Sequence, residues 1–164
     1  MFVCGCLAWA AEMRWGLLCV GRLRSASMAE ALEVYRKRLA STAPLDMLEV
    51  KEAAAKGREV VDAEGQRLLA RLGDRDHLVA LDSTGTLYDT VALAGRLAAW
   101  RQTVAGRLWF CIGGADGLSR EVVTRADECL SLSRLTLPHE LARLVLAEQL
   151  YRCHTLLTGH PYHH

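Results

Sequence analysis

Short apolar runs closed by glycine or small polar residues alternate along this chain with amphipathic stretches, and that alternation predicts an α/β fold with a mainly parallel sheet. Two observations sharpen the expectation. Gly16-Leu17-Leu18-Cys19-Val20-Gly21 and Leu108-Trp109-Phe110-Cys111-Ile112 are continuous apolar runs, the pattern of strands covered on both faces. With 164 residues and 18.1 kDa, the chain is long enough for one domain with a proper core and too short for two.

The elements follow in order. After the first strand, Ser27 is placed to cap a helix reaching about Leu39, with Ala31, Leu32, Tyr35 and Leu39 on one face. Pro44 ends the connection and Leu45 to Val50 reads as the second strand. Residues 51–58 are polar and alanine-rich, a mobile-loop composition, and Glu59 to Leu72 is an amphipathic helix stopped by Gly73. His77 to Asp82 is the third strand, with Ser83-Thr84-Gly85 as its turn, and a helix follows from Thr90 to about Gln102. Leu108 to Ile112 is the fourth strand, Ser119 caps a short helix, and Cys129 to Ser133 is the fifth strand. A long helix then runs from about Pro138 to Leu157. Its first half, with Leu141, Ala142, Leu144, Val145, Leu146 and Ala147, is apolar almost all round. Such a helix is buried, either against its own sheet or in a homodimer interface.

Twenty Lys and Arg against nineteen acids leave a net charge of +1, so no global field announces a nucleic-acid partner, although a local basic face stays open. Arg36-Lys37-Arg38 is one candidate for gripping RNA phosphate, or simply a solvated helix face. The six cysteines contain no C-x-x-C pair, and Cys19, Cys111 and Cys129 lie in apolar runs. They read as reduced, core-filling thiols of a cytoplasmic protein rather than a disulfide framework. No apolar run approaches the roughly 18 residues of a membrane helix. Cys153-His154 with His160, His163 and His164 fits no standard zinc spacing, so no metal is expected. Met1 to Ala11 is apolar but lacks the basic start of a secretory signal, and residues 1–12 precede a strand pattern that opens at Met13-Arg14. They are read as an N-terminal extension ahead of a single domain, 13–164.

The stretch from Leu108 to His139 carries the functional signal. A strand breaks into Gly113-Gly114-Ala115-Asp116-Gly117, and a second apolar run leads into Arg134-Leu135-Thr136-Leu137-Pro138-His139. Open α/β sheets place ligands at such strand ends, and glycine lets backbone approach a ligand closely. The glycines alone also fit an ordinary tight turn. G-x-G-x-x-G and G-K-[ST] are both absent, which disfavours a dinucleotide or phosphate-loop reading.

An ordered set of segments goes further. Leu17-Leu18-Cys19-Val20-Gly21, Glu64-Gly65-Gln66-Arg67-Leu68-Leu69, Leu81-Asp82, Ile112 through Leu118, Leu130 to Ser133, Leu135-Thr136-Leu137-Pro138-His139, Glu148 to Arg152 and His160-Pro161-Tyr162-His163 occur in sequence. In that order they resemble the small SPOUT-class methyltransferases acting on a pseudouridine of bacterial large-subunit ribosomal RNA. The resemblance implies a SPOUT-type sheet flanked by helices with a C-terminal trefoil knot, an obligate homodimer, and S-adenosylmethionine as methyl donor. It implies N3 of a pseudouridine in 23S ribosomal RNA as substrate, within the assembled ribosome. Family members usually end in a basic residue after Tyr-His, where this chain has His164.

Carried over by position, the resemblance assigns Leu81, Gly113, Gly114, Leu132, Ser133, Arg134, Leu135, Thr136 and Leu137 to the cofactor. It assigns Tyr162 and His163 to the active site, either that of their own subunit or that of a partner subunit. His139, Arg143 and Arg152 are candidates for holding phosphate or base, or else for pairing with Glu140 and Glu148. A knotted methyltransferase on another RNA, such as tRNA, and a ribosome-binding assembly factor without turnover are the alternatives.

Overall fold

A computed structural model describes residues 14–54 and 57–162, so residues 1–12 and His163 lie outside the described residues. The chain order is β1 (Trp15–Val20), α1 (Ala26–Leu39), β2 (Leu45–Val50), α2 (Arg58–Leu69), β3 (His77–Leu87), α3 (Thr90–Thr103), β4 (Leu108–Ile112), α4 (Arg120–Arg125), β5 (Glu128–Ser131) and α5 (His139–Thr158). The strands form one sheet in the order β2-β1-β4-β3-β5, every recorded pairing parallel.

Strand periodicity divides the core in two. On one face Leu17, Cys19, Val79, Phe110 and Ile112 pack with Leu32 and Leu39 of α1, Leu93, Leu97 and Trp100 of α3, and Leu146 and Leu150 of α5. On the other, Leu18, Val20, Leu78, Trp109 and Cys111 pack with Leu68 of α2 and Val122 of α4. Successive residues of β1 and β4 serve opposite layers, which explains why both runs are apolar without alternation. Each fully buried leucine contributes about 1.5–3 kcal/mol of transfer free energy. Burial also pushes the Cys19 and Cys153 thiols up to about 12, so both stay protonated as core fillers.

Three local expectations need correction. Ser25, not Ser27, caps α1, its hydroxyl accepting from Met28 N at 3.4 Å. The helix over 59–72 ends at Leu69, short of Gly73. The turn at 83–85 does not end β3. Leu81 and Thr86 both stand opposite Leu130, so residues 82–85 loop out and the strand resumes. Gly85 makes this possible, because a Cβ there would come 2.7 Å from the Leu130 carbonyl carbon.

The last connection does most to position the site. β5 lies at the sheet edge beyond β3, yet the first turns of α5 reach the exit of β1. Glu140 accepts from Arg24 N at 2.7 Å and Ser25 N at 3.2 Å. Residues 132–138 therefore cross the carboxyl ends of β3 and β4. Along its length α5 packs on α1 and α3, so its apolar surface is covered largely by its own sheet and helices.

Candidate active site

At that crossing lies a cavity of about 560 Å³, within the range of small-molecule sites. Three segments wall it: 81–83 at the loop-out within β3, Ile112 to Ala115 and Gly117 at and after the end of β4, and Leu130 to Ser133 around the end of β5. Leu135 to His139 and Ala142 close it. Of the nine positions assigned to the cofactor from sequence, eight line this cavity. The exception is Arg134, which is exposed and points its Nη1 at Ser83 O, 3.4 Å away.

The glycine turn after β4 is built by contact as well as by conformation. Gly117 has a φ of +82°, the left-handed region that glycine adopts without strain, and its N–H returns to Gly114 O at 3.2 Å. A Cβ on Gly113 would sit 2.2 Å from Gly117 O. One on Gly114 would sit 2.9 Å from Glu64 Oε2, and buried Glu64 holds Ala53 N with its other oxygen at 3.0 Å. Gly113 is thus required by the turn's own backbone packing, and Gly114 by its close approach to Glu64.

The opposite wall folds on local hydroxyls. Ser131 donates to Ser133 O at 3.0 Å, and Ser133 Oγ accepts from Leu135 N at 2.9 Å. This bend leaves the Leu135 side chain 75% exposed at the rim.

The three residues expected to hold substrate separate. His139 lines the cavity. Arg143 does not face substrate: its side chain is wholly buried, with Nη2 donating to Val20 O at 2.5 Å and Gly21 O at 3.0 Å and Nη1 donating to Glu49 at 2.9 Å. Four residues beyond His139, it lies on the inner side of α5 and ties that helix to β1. It does not pair with Glu140, which is occupied by the backbone of Arg24 and Ser25. Arg152 pairs with Glu148 at 2.8 Å, the alternative the sequence left open, and covers the Tyr162 ring at 5.3 Å.

Tyr162 is docked rather than frayed. Its ring meets Tyr151 edge-on at 4.6 Å, twelve residues along α5 from His139, or about 18 Å along the axis at 1.5 Å per residue. Within one chain the tail therefore sits far from the cavity. Along the basic run on α1, Arg36 serves Leu45 O and Glu33 and Arg38 lies over tyrosine rings, while Lys37 is exposed.

Residues 13–163 match the family model described as "Predicted SPOUT methyltransferase". The chain belongs to the SPOUT methyltransferase family. Among curated relatives, a "Ribosomal RNA large subunit methyltransferase H" from Anaeromyxobacter sp. (strain Fw109-5) is 49% identical over 154 residues, covering 92% of this chain and 99% of the relative. A protein of the same description from Gloeobacter violaceus is 44% identical over 153 residues, covering 93% and 99%. Among solved structures, a probable methylase family protein from Haemophilus influenzae Rd KW20 superposes with a TM-score of 0.54 at 12% identity, over 93% of this chain and 70% of that one, a likeness of fold.

S-adenosylmethionine, the donor of a SPOUT methyltransferase, fits the cavity's chemistry. Leu81, Ile112, Leu130, Leu132 and Leu137 offer an apolar slot, and the glycine turn and the 132–137 bend present main chain with little side-chain bulk. Among the described residues lining it, Asp82 is the one carboxylate, a complement to a sulfonium charge. Sequence reasoning passed over Asp82 and Ser83 as cavity walls, because a strand ending at Asp82 hides the loop-out that aims them inward. Their neighbour Gly85 was the available signal. Among the described residues there is no group of three His, Cys, Asp or Glu placed to hold a metal, and no helix long and apolar enough to cross a membrane.

Proposed function

We propose that this protein transfers the methyl group of S-adenosylmethionine to N3 of a pseudouridine in 23S ribosomal RNA, in the cytoplasm and on the assembled ribosome. The observation that carries the reading is the coincidence of eight family-assigned cofactor positions on one cavity, at the loop-out of β3 and the carboxyl ends of β4 and β5. The curated relatives, named as large-subunit ribosomal RNA methyltransferases over nearly their whole length, support the substrate class.

When bound, the donor supplies an activated methyl group with its own leaving group, so the chemistry demands no covalent nucleophile from the protein. The protein's task is orientation and the handling of one proton. In this reading Leu81, Gly113, Gly114, Leu132, Ser133, Leu135, Thr136 and Leu137 hold the cofactor by shape and main chain. His139, at the cavity wall, is placed to meet the incoming nucleotide. Tyr162 and His163 act in the cavity of the partner subunit of a homodimer, orienting the base and accepting the N3 proton. The distance between tail and cavity within one chain supports this arrangement, since a single chain leaves each half of the site incomplete. The crossing of 132–138 over two strand ends is compatible with the C-terminal trefoil knot that the resemblance implies, and we take the chain to be knotted there.

Nucleoside mass spectrometry of ribosomal RNA from a strain lacking the gene is the test. Loss of one N3-methylated pseudouridine, restored by the wild-type gene, is expected. An unchanged ribosomal pseudouridine with a missing methyl group in tRNA would move the reading to another RNA. No missing methyl group, with ribosome assembly impaired, would leave an assembly factor.

A further inference from the structure

Around the end of α5 the side chains form an assembly that the cavity does not explain. Tyr162, in the turn after the helix, meets Tyr151 at 4.6 Å, and Tyr151 meets Tyr35 of α1 at 6.0 Å. Arg38, one helical turn past Tyr35, sets its guanidinium carbon 5.6 Å from the Tyr35 centroid, 5.4 Å from Tyr151 and 5.6 Å from Tyr162. Arg152 also covers Tyr162, but its charge is engaged by Glu148. Among the described residues Arg38, itself exposed, has no carboxylate partner, so its cation faces the three rings and solvent.

We propose that Arg38 is the positioning residue of the C-terminal tail: spread over Tyr35, Tyr151 and Tyr162, it fixes residues 160–162 against α1 and α5 and so sets where Tyr162 meets the partner subunit's cavity. The proposal rests on the reading that the tail acts in that cavity. The tail's own bonds are few. Gly159 caps α5 in the left-handed conformation, His160 N donates to Thr155 O at 3.0 Å, and Tyr162 N donates to His160 O at 2.8 Å. Chain ends fray unless something ties them down. A planar, weakly hydrated guanidinium can stack on several aromatic faces at once, whereas an ammonium is a strongly hydrated point charge. The cost of misplacing the tail is steep, since about 1 Å of error at reacting groups lowers turnover by about a hundredfold.

The test uses the full chain with Arg38→Met, which keeps an apolar stem, Arg38→Ala, and Arg38→Lys. Three quantities are read: hydrogen exchange of the His160 and Tyr162 amides, cofactor affinity by calorimetry, and the separate kcat and KM for methyl transfer to ribosomes. Exchange of the tail amides should rise about tenfold in Met and Ala variants, with cofactor affinity unchanged. Turnover should fall about tenfold or more with KM within about twofold, and Lys should recover part of both losses. Unchanged tail exchange in Arg38→Met and Arg38→Ala would overturn the positioning role. A freed tail with full turnover would overturn instead the tail's part in catalysis, on which the proposal depends.

Discussion

The guanidinium of Arg143 closes the exit of β1: one nitrogen donates to the carbonyls of both Val20 and Gly21, at 2.5 and 3.0 Å, and the other reaches Glu49 at 2.9 Å. Four residues away on the same helix, His139 lines the cavity. The pairing thus fixes the start of α5 relative to the sheet, and with it one wall of the site. Glu49 is further held by Leu23 N at 2.9 Å, so the network also secures the link from β1 to α1.

Arg143→Met is expected to destabilise the protein by about 3–5 kcal/mol, because it leaves two buried carbonyls without their side-chain donor and Glu49 without its cation. Arg143→Lys should recover little, since one ammonium cannot reproduce the fork. Denaturant unfolding measures both. A loss below about 1 kcal/mol for Arg143→Met would return Arg143 to the surface role that its charge suggests in sequence.

Gly113→Ala is expected to abolish cofactor binding while sparing most of the fold. The added methyl would lie 2.2 Å from Gly117 O, so the turn must open, and that turn forms part of the cavity wall. Calorimetry should show at least a hundredfold weaker binding, the equivalent of about 2.7 kcal/mol. Unaltered affinity would mean the wall tolerates a displaced turn.

Leu135 gives the complementary case. At 75% exposure it contributes little to the fold, but it stands at the cavity rim where a ligand would cover it. Leu135→Ala should leave the melting temperature within about a degree and weaken cofactor binding about tenfold, in line with about 1.5–3 kcal/mol for a fully buried leucine. A drop in melting temperature with unchanged affinity would contradict this.

Most of this architecture can be read from the chain because its strands are buried on both faces. Leu17 and Leu18 fill opposite cores, so β1 is apolar at every step, and the glycines at 113 and 114 mark its neighbour's end. What escapes the sequence is direction in space. Arg143 and His139 lie one helical turn apart in the mostly apolar first half of α5, and nothing local tells that one turns to the sheet and the other to the cavity. Ser83 and Gly85 read as a strand's end for the same reason, since only the proximity of β5 makes β3 loop out and resume. Tyr162 looks like a loose end until Tyr35 and Arg38, more than a hundred residues earlier, come beside it.

Stability should decline on mild acidification, through two histidines on the same side of the sheet. His154 accepts or donates at Nε2 with Thr42 Oγ1, 2.8 Å away, and meets Trp15 edge-on at 6.2 Å. Burial pushes its pKa below the usual 6.5, and the neighbouring His160 and Arg101 push the same way. His77 is lowered chiefly by burial, against the raising effect of Asp127 and Glu128. In both cases the fold prefers the neutral ring. As pH falls below about 6.5 the unfolded chain takes up protons that the folded one refuses, so stability is full above that pH and is lost on the way down through the depressed values. Melting temperature should therefore hold from pH 8 to 7 and fall from 6.5 to 5. His154→Gln keeps a partner for Thr42 but cannot titrate, so its melting curve should start lower at pH 8 and fall less steeply. A wild-type melting temperature that stays flat to pH 5 would show that neither ring resists protonation in the fold.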